Sequence, residues 1–167
     1  MTNVRLFDRP AFTVTGIKTW IAGVEDDQAF GRFWSHCQAN GVLKQLNVLR
    51  GDQPGHVTHG MTLGISRVEA DSSKRAFFYM IAVEILPGSS AGDLEIYQMP
   101  AARWAAFDCQ GKVPDSIVAA EMFAFTQWLP GSGYAHANAP EMEVYLPPLS
   151  SADQEEVCEF WLPIRCT

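Results

Sequence analysis

From residue 10 to residue 22 the chain reads PAFTVTGIKTWIA, a mixture of β-branched and aromatic residues that predicts a strand. Glu25, Asp26 and Asp27 form an acidic cluster suited to the electropositive start of a helix. Phe30, Phe33, Trp34 and Cys37 then recur at helical spacing, so a helix is expected from Gln28 to Asn40, stopping at Asn40-Gly41. Gly51 to Gly55, with Asp52 and Pro54, reads as a loop. Two strands are expected next, at 56–69 and in the strongly apolar run 76–86, with a polar turn from Ala70 to Arg75. Pro87 to Asp93 is the clearest breaker, and after it the pattern restarts. An extended segment at 94–109 is interrupted at Pro100, and a turn follows from Gly111 to Asp115. A helix from Ile117 to Leu129 ends at Pro130-Gly131, and 141–147 and 157–165 are the closing strands.

The order is strand, helix, strand, strand, twice over, with units at about 10–86 and 94–166 and no residue-level repeat between them. A breaker of seven residues is too short to separate independent cores, so one domain is expected over 1–167. Helices grouped on one face of a largely antiparallel sheet give an α+β fold. Alternation in the penultimate strand sets Glu141, Glu143 and Tyr145 on one face and Met142, Val144 and Leu146 on the other. The apolar set is expected under the helices, and the glutamates on the opposite face. In the last strand Glu159 and Trp161 share a face, so Glu143, Tyr145, Glu159 and Trp161 converge if the two strands are neighbours. A carboxylate among aromatic rings is what a lipophilic cation needs, because the rings supply apolar area and cation–π attraction and the carboxylate the countercharge. The plainer alternative is a solvated sheet face that carries glutamates.

Charge and composition narrow the classes. Twelve Lys/Arg against nineteen Asp/Glu give a net charge of −7, which argues against a surface built for nucleic-acid phosphates but not against a small cationic partner. At 167 residues the chain buries a core without disulfide or metal staples. The N-terminus has no secretory apolar region and no stretch is long enough to span a membrane, so a soluble cytoplasmic protein is expected. Cys37, Cys109, Cys158 and Cys166 show no C-x-x-C spacing and read as reduced thiols. His36, His56, His59 and His136 make no metal pattern, and no cofactor is expected. Gly64-Ile65-Ser66 lacks a nucleophile elbow, and there is no P-loop or dinucleotide fingerprint. Aromatic residues, including five Trp, make up 11% of the chain. Trp20, Trp34, Trp104, Trp128 and Trp161 fall one to each predicted element, with burial in the core as the simplest role for each.

The segment Tyr97 to Phe107, YQMPAARWAAF, resembles a strand of the GyrI-like, AraC-type effector-binding domain family, and Gly111 follows as the family's glycine does. Gln127 to Tyr134 (QWLPGSGY), Pro140 to Pro147 (PEMEVYLP) and Phe160 to Ile164 (FWLPI) are similar to further signatures of that family. Leu63 to Ser66 and Tyr79 to Glu84 resemble its middle strands. The resemblance covers nearly the whole chain and is more specific after residue 60. It implies two pseudo-symmetric units, a ligand groove on the sheet face away from the helices, and binding of bulky, lipophilic, often cationic compounds. The family's acidic pocket residue matches Glu143. Candidate ligand-binding residues are therefore Glu143, Tyr145, Trp161, Trp104, Tyr79 and Trp34. The chain departs from the pattern at Trp104, where the family usually has Tyr, and at Ala82, where glycine is common.

The resemblance implies a small-molecule binder rather than an enzyme, related to the sensing halves of multidrug-responsive regulators. With its first strand expected near residue 10, the chain is expected to lack their DNA-reading module. Two other readings stay open. One is a hydrolase of strained, cyclopropane-bearing natural products that uses the same glutamate with Tyr145 or Tyr79. The other is a gyrase-modulating interaction protein with a separate protein partner, favoured slightly by six carboxylates against Arg165 alone in residues 141–167. A haem-binding relative is more remote, since no histidine is well placed.

Overall fold

The computed structural model describes residues 3–22, 28–52, 55–68, 76–146 and 158–167. Strands β1 (Val4–Arg9) and β2 (Phe12–Ile21) lead into helices α1 (Ala29–Ala39) and α2 (Val42–Asp52), then β3 (Thr62–Arg67) and β4 (Phe77–Ile85). After the breaker come β5 (Glu95–Met99), β6 (Ala102–Asp108) and α3 (Asp115–Phe123). Helix α3 runs on through a π-helical turn at Ala124–Trp128 and a last turn at Leu129–Gly131. Strands β7 (Tyr134–His136), β8 (Glu141–Tyr145) and β9 (Cys158–Cys166) complete the chain. The fold is α+β, as expected.

One antiparallel sheet runs in the order β1-β6-β9-β8-β3-β4-β2-β5, with β7 beside the C-terminal end of β9. Exchanging β1, β2, β3 and β4 for β5, β6, β8 and β9 reverses that order, so a pseudo-two-fold axis passes between β3 and β8. The leading strand of each unit crosses over: β1 pairs with β6, and β5 with β2.

Four elements differ from expectation, one of them the short strand β7, which was not anticipated. Helix α2 occupies 42–52, where no element was expected and where a loop was expected from Gly51. Its start is capped by Asn40, whose side-chain oxygen accepts the Val42 N–H at 3.1 Å, while Gly41 turns the chain with φ +83°. Val42, Leu43, Leu46 and Leu49 then face the sheet, with Leu46 fully buried. The strand expected at 56–69 is confined to Thr62–Arg67, because His59 and Gly60 both take left-handed φ and break the extended run. The backbone N–H groups of Val57 and Thr58 and the Thr58 hydroxyl donate instead to the buried Glu84 carboxylate at 2.7–3.2 Å. Strand β1 was not anticipated. The acidic cluster at 25–27, the turn at 70–75, and Asp153, Glu155 and Glu156 lie outside the described residues.

Both faces of the sheet are apolar. On one face Phe77, Tyr79, Ile81 and Val83 pack under α1 and α2, while Ala105, Phe107, Phe160 and Leu162 pack under α3. On the other Leu63, Ile65, Met80, Ala82, Met142, Val144, Trp104 and Trp161 form a second core, contacted by Phe7, Met61, Tyr97 and Ala102.

Candidate functional site

The register places Glu143 of β8 between Gly64 of β3 and Phe160 of β9. Glu143 therefore shares its face with Ile81, Phe160 and Phe107, which is the helix face. The expectation that Met142 and Val144 pack under the helices is inverted: they lie in the opposite core. Parity predicted which residues share a face. It could not say which face the helices cover, because both are apolar.

Glu143 sits where the two units meet. Its Oε1 accepts a hydrogen bond from the Tyr145 hydroxyl at 2.6 Å and another from the Tyr79 hydroxyl at 3.0 Å. Tyr79 in turn accepts from the Trp34 indole N–H of α1 at 3.0 Å. The Trp34 ring lies edge-on to Tyr145 at 5.1 Å, and Phe30 lies edge-on to Tyr79 at 4.8 Å. From α3, Ile117 packs in the same cluster as Tyr145 and Trp34. Among the described residues no lysine, arginine or histidine forms an ion pair with Glu143. The neighbouring carboxylate Glu141 faces His136 at 3.0 Å.

Burial pushes the Glu143 carboxyl up to about 7, against an ordinary value of 4.5. The hydrogen bonds from Tyr145 and Tyr79 pull it back down, and the charge of Glu141 adds to the rise. Burial, followed by the charge of Glu143, holds both phenols well above their usual range, so both remain donors. The raised carboxyl has a sign for stability: the folded state binds the proton more tightly between pH 4.5 and about 7. Its contribution is fully present below that window and is lost as pH rises through it. A cation held at Glu143 reverses this cost.

Removing the stronger donor tests the hydrogen-bond contribution. In Tyr145→Phe the Glu143 carboxyl is expected to titrate above 7, measured by carboxylate NMR or infrared difference spectra. An unmoved titration would mean that the 2.6 Å hydrogen bond does not hold the carboxylate.

Gly64 completes the site, and sequence reading missed it. A Cβ built there would overlap the Tyr79 hydroxyl and come within 3.1 Å of Glu143 Oε1. The space above a glycine thus lets the phenol of β4 cross β3 to reach the carboxylate of β8. A glycine inside an apolar strand is the signal that could have found it.

The structure brings together four of the six candidates: Glu143, Tyr145, Tyr79 and Trp34. It separates the other two. Trp161 stands opposite Met142, and Glu159 opposite Val144, so neither shares the face of Glu143, and the expected convergence fails on register. Trp104 is fully buried in the same second core, 5.8 Å from Trp161. Trp20, by contrast with a core role, is 55% exposed. A surface cleft of about 600 Å³ lies elsewhere, between residues 97–102 and 137–140, and none of the six candidates lines it. No cluster of three or more metal-ligating side chains occurs among the described residues, and no helix there is long and apolar enough to cross a membrane.

A family model described as a GyrI-like small molecule binding domain matches residues 2–165. No curated protein matches the sequence. Among solved structures, that of SAV2435 bound to tetraphenylphosphonium has a TM-score of 0.79 at 21% identity, covering 98% of this chain and 94% of that one. The C-terminal domain of EcmrR has a TM-score of 0.66 at 14% identity, covering 100% and 99%. A hydrolase encoded by lin2189 from Listeria innocua has a TM-score of 0.50 at 11% identity, covering 97% and 91%. At these identities the likeness is one of fold.

Proposed function

The chain belongs to the GyrI-like small-molecule-binding domain family, and from that premise we propose that it binds lipophilic cations with Glu143 as the countercharge. One observation carries the reading. Glu143 is a carboxylate on an apolar, aromatic-lined face, held by two phenol donors, with no cationic side chain of the described residues paired to it. Such a group is poorly hydrated, and a permanent cation restores favourable electrostatics there. Tyr145, Tyr79 and Trp34 supply the rings. Trp34 covers Tyr145 and holds Tyr79, so a bulky ligand enters by displacing that indole. The phosphonium cation seen with SAV2435 is a suitable probe, and triphenylphosphine oxide is its neutral counterpart.

Because the ionised carboxylate is the binding form, cation affinity is expected to rise as pH increases through about 7, by at most tenfold per unit, and to level off above it. The neutral counterpart should show no such rise. Tryptophan fluorescence titrations between pH 5.5 and 9 read both. A flat cation profile would remove Glu143 from the binding account.

A second reading rests on the same carboxyl. A group that titrates near 7 beside two phenols is suited to general acid–base work, as in a hydrolase. Ligand converted to product over time, and lost in Glu143→Gln, would favour that reading; unchanged ligand favours the binder.

A further inference from the structure

Two thiols lie against the same wall of the molecule, outside the hydrogen bonds that hold Glu143. Asp108 of β6 stands opposite Glu159 of β9, so the next step of the register sets Cys109 opposite Cys158. The Cys109 backbone N–H donates to the Cys158 carbonyl at 3.1 Å, which keeps the strands paired at that step. Of the groups around the Cys109 thiol, Cys158 acts on it most strongly. Directly opposite residues in an antiparallel pair have Cβ atoms about 4.5–5.5 Å apart, within reach of one bridging atom. Tyr145 stands opposite Cys158 on the other side, and Trp34, Ile117 and Val113 pack over the thiols. The result is a paired dithiol under an apolar, aromatic wall. Cys158 is buried, and Cys109 is the half-exposed member through which a reagent enters.

We infer that Cys109 and Cys158 form a chelating site for a lipophilic trivalent organoarsenical, with its aryl group against Trp34, Ile117 and Val113. Hydrated aryl arsenic(III) carries two hydroxyl groups and one carbon. Two As–S bonds form and two As–O bonds break, and each thiol proton leaves with a hydroxyl as water. Arsenic stays trivalent, so no oxidant or reductant is needed.

Two other uses of the pair fit less well. A structural zinc ion takes four ligands, and no third or fourth ligating side chain joins these two among the described residues. Disulfide exchange runs through the thiolate. Cys158 beside it, burial, and the charges of Glu143 and Asp108 all push the Cys109 thiol up, so little thiolate forms at Cys109. Condensation with loss of water proceeds from the protonated Cys109 thiol and needs no oxidant.

The test uses the reduced full chain and phenylarsine oxide. Intact-mass titration is expected to give one tight adduct, mapped in the unsubstituted protein to the peptides holding Cys109 and Cys158. A dithiol such as 2,3-dimercaptopropanol should strip it, whereas the same concentration of a monothiol should not, because the second As–S bond forms intramolecularly. Cys109→Ser should weaken uptake at least 100-fold, and Cys166→Ser and Cys37→Ser should leave it within about twofold. An adduct mapped to Cys166 or Cys37, removal by the monothiol, or unchanged uptake in Cys109→Ser would each overturn the assignment. Peptide mapping needs no substitution, so the test stands even if a cysteine variant folds poorly.

Discussion

Glu143→Gln is expected to weaken a permanent lipophilic cation about 30- to 100-fold at pH 8 while leaving its neutral counterpart within about threefold. The magnitude follows from electrostatics at the site. A unit charge about 5 Å from an ionised carboxylate, at an effective dielectric constant near 20, gains about 3 kcal/mol, and part of that is returned as desolvation of the cation. Glutamine keeps the shape and can still accept from Tyr145 and Tyr79, so the loss isolates the charge. The substitution also removes a carboxyl that burial raises to about 7. The variant should therefore be as stable as the parent or more so at pH 8, and thermal melts run beside the titrations check this. Equal losses for cation and neutral ligand would mean that Glu143 contributes shape and not charge.

Gly64→Ala is expected to lower stability and disturb the Glu143 site at the same time. Alanine normally suits a strand better than glycine, so on propensity alone the change would be neutral or stabilising. Here the new Cβ meets the hydroxyl of a fully buried tyrosine that Trp34 and Glu143 hold from either side. Overpacking of this kind costs about 1–3 kcal/mol, or roughly 3–10 °C in melting temperature for a chain of this size. The Tyr79–Glu143 hydrogen bond should be lost with it, so Glu143 titrates higher and cation affinity at pH 7 falls severalfold. Adding Tyr79→Phe removes the hydroxyl that the methyl strikes. The double variant should therefore recover at least half of the lost melting temperature, a non-additivity that only direct contact produces. A Gly64→Ala protein as stable as its parent would show that the cradle is not needed.

The repeated unit, the α+β class and the face shared by Glu143 and Tyr145 were legible because each rests on local periodicity. The side of the sheet was not. In β4 the run from Phe77 to Ile85 is apolar at nearly every position, since Tyr79, Ile81 and Val83 meet helices while Met80 and Ala82 meet the second core. Alternation carries no sign when both faces are covered. Trp161 was drawn towards Glu143 because register across β8 and β9 is set by long-range packing, and one step decides which face a side chain takes. Helix α2 hid because its start is signalled by a side chain, Asn40, that also ends α1. Gly64 was visible as a residue but not as a space, because the side chain that uses the space comes from a different strand.

The cation account predicts one location for the ligand. A crystal structure of the protein with the phosphonium probe should show the cation on the helix face, its aryl groups against Tyr145 and Tyr79, Trp34 moved off Tyr145, and the Glu143 carboxylate nearest the charge. A cation bound instead beside Trp104 and Trp161 on the opposite face, or in the cleft between residues 97–102 and 137–140, with Glu143 still closed under Trp34, would contradict it.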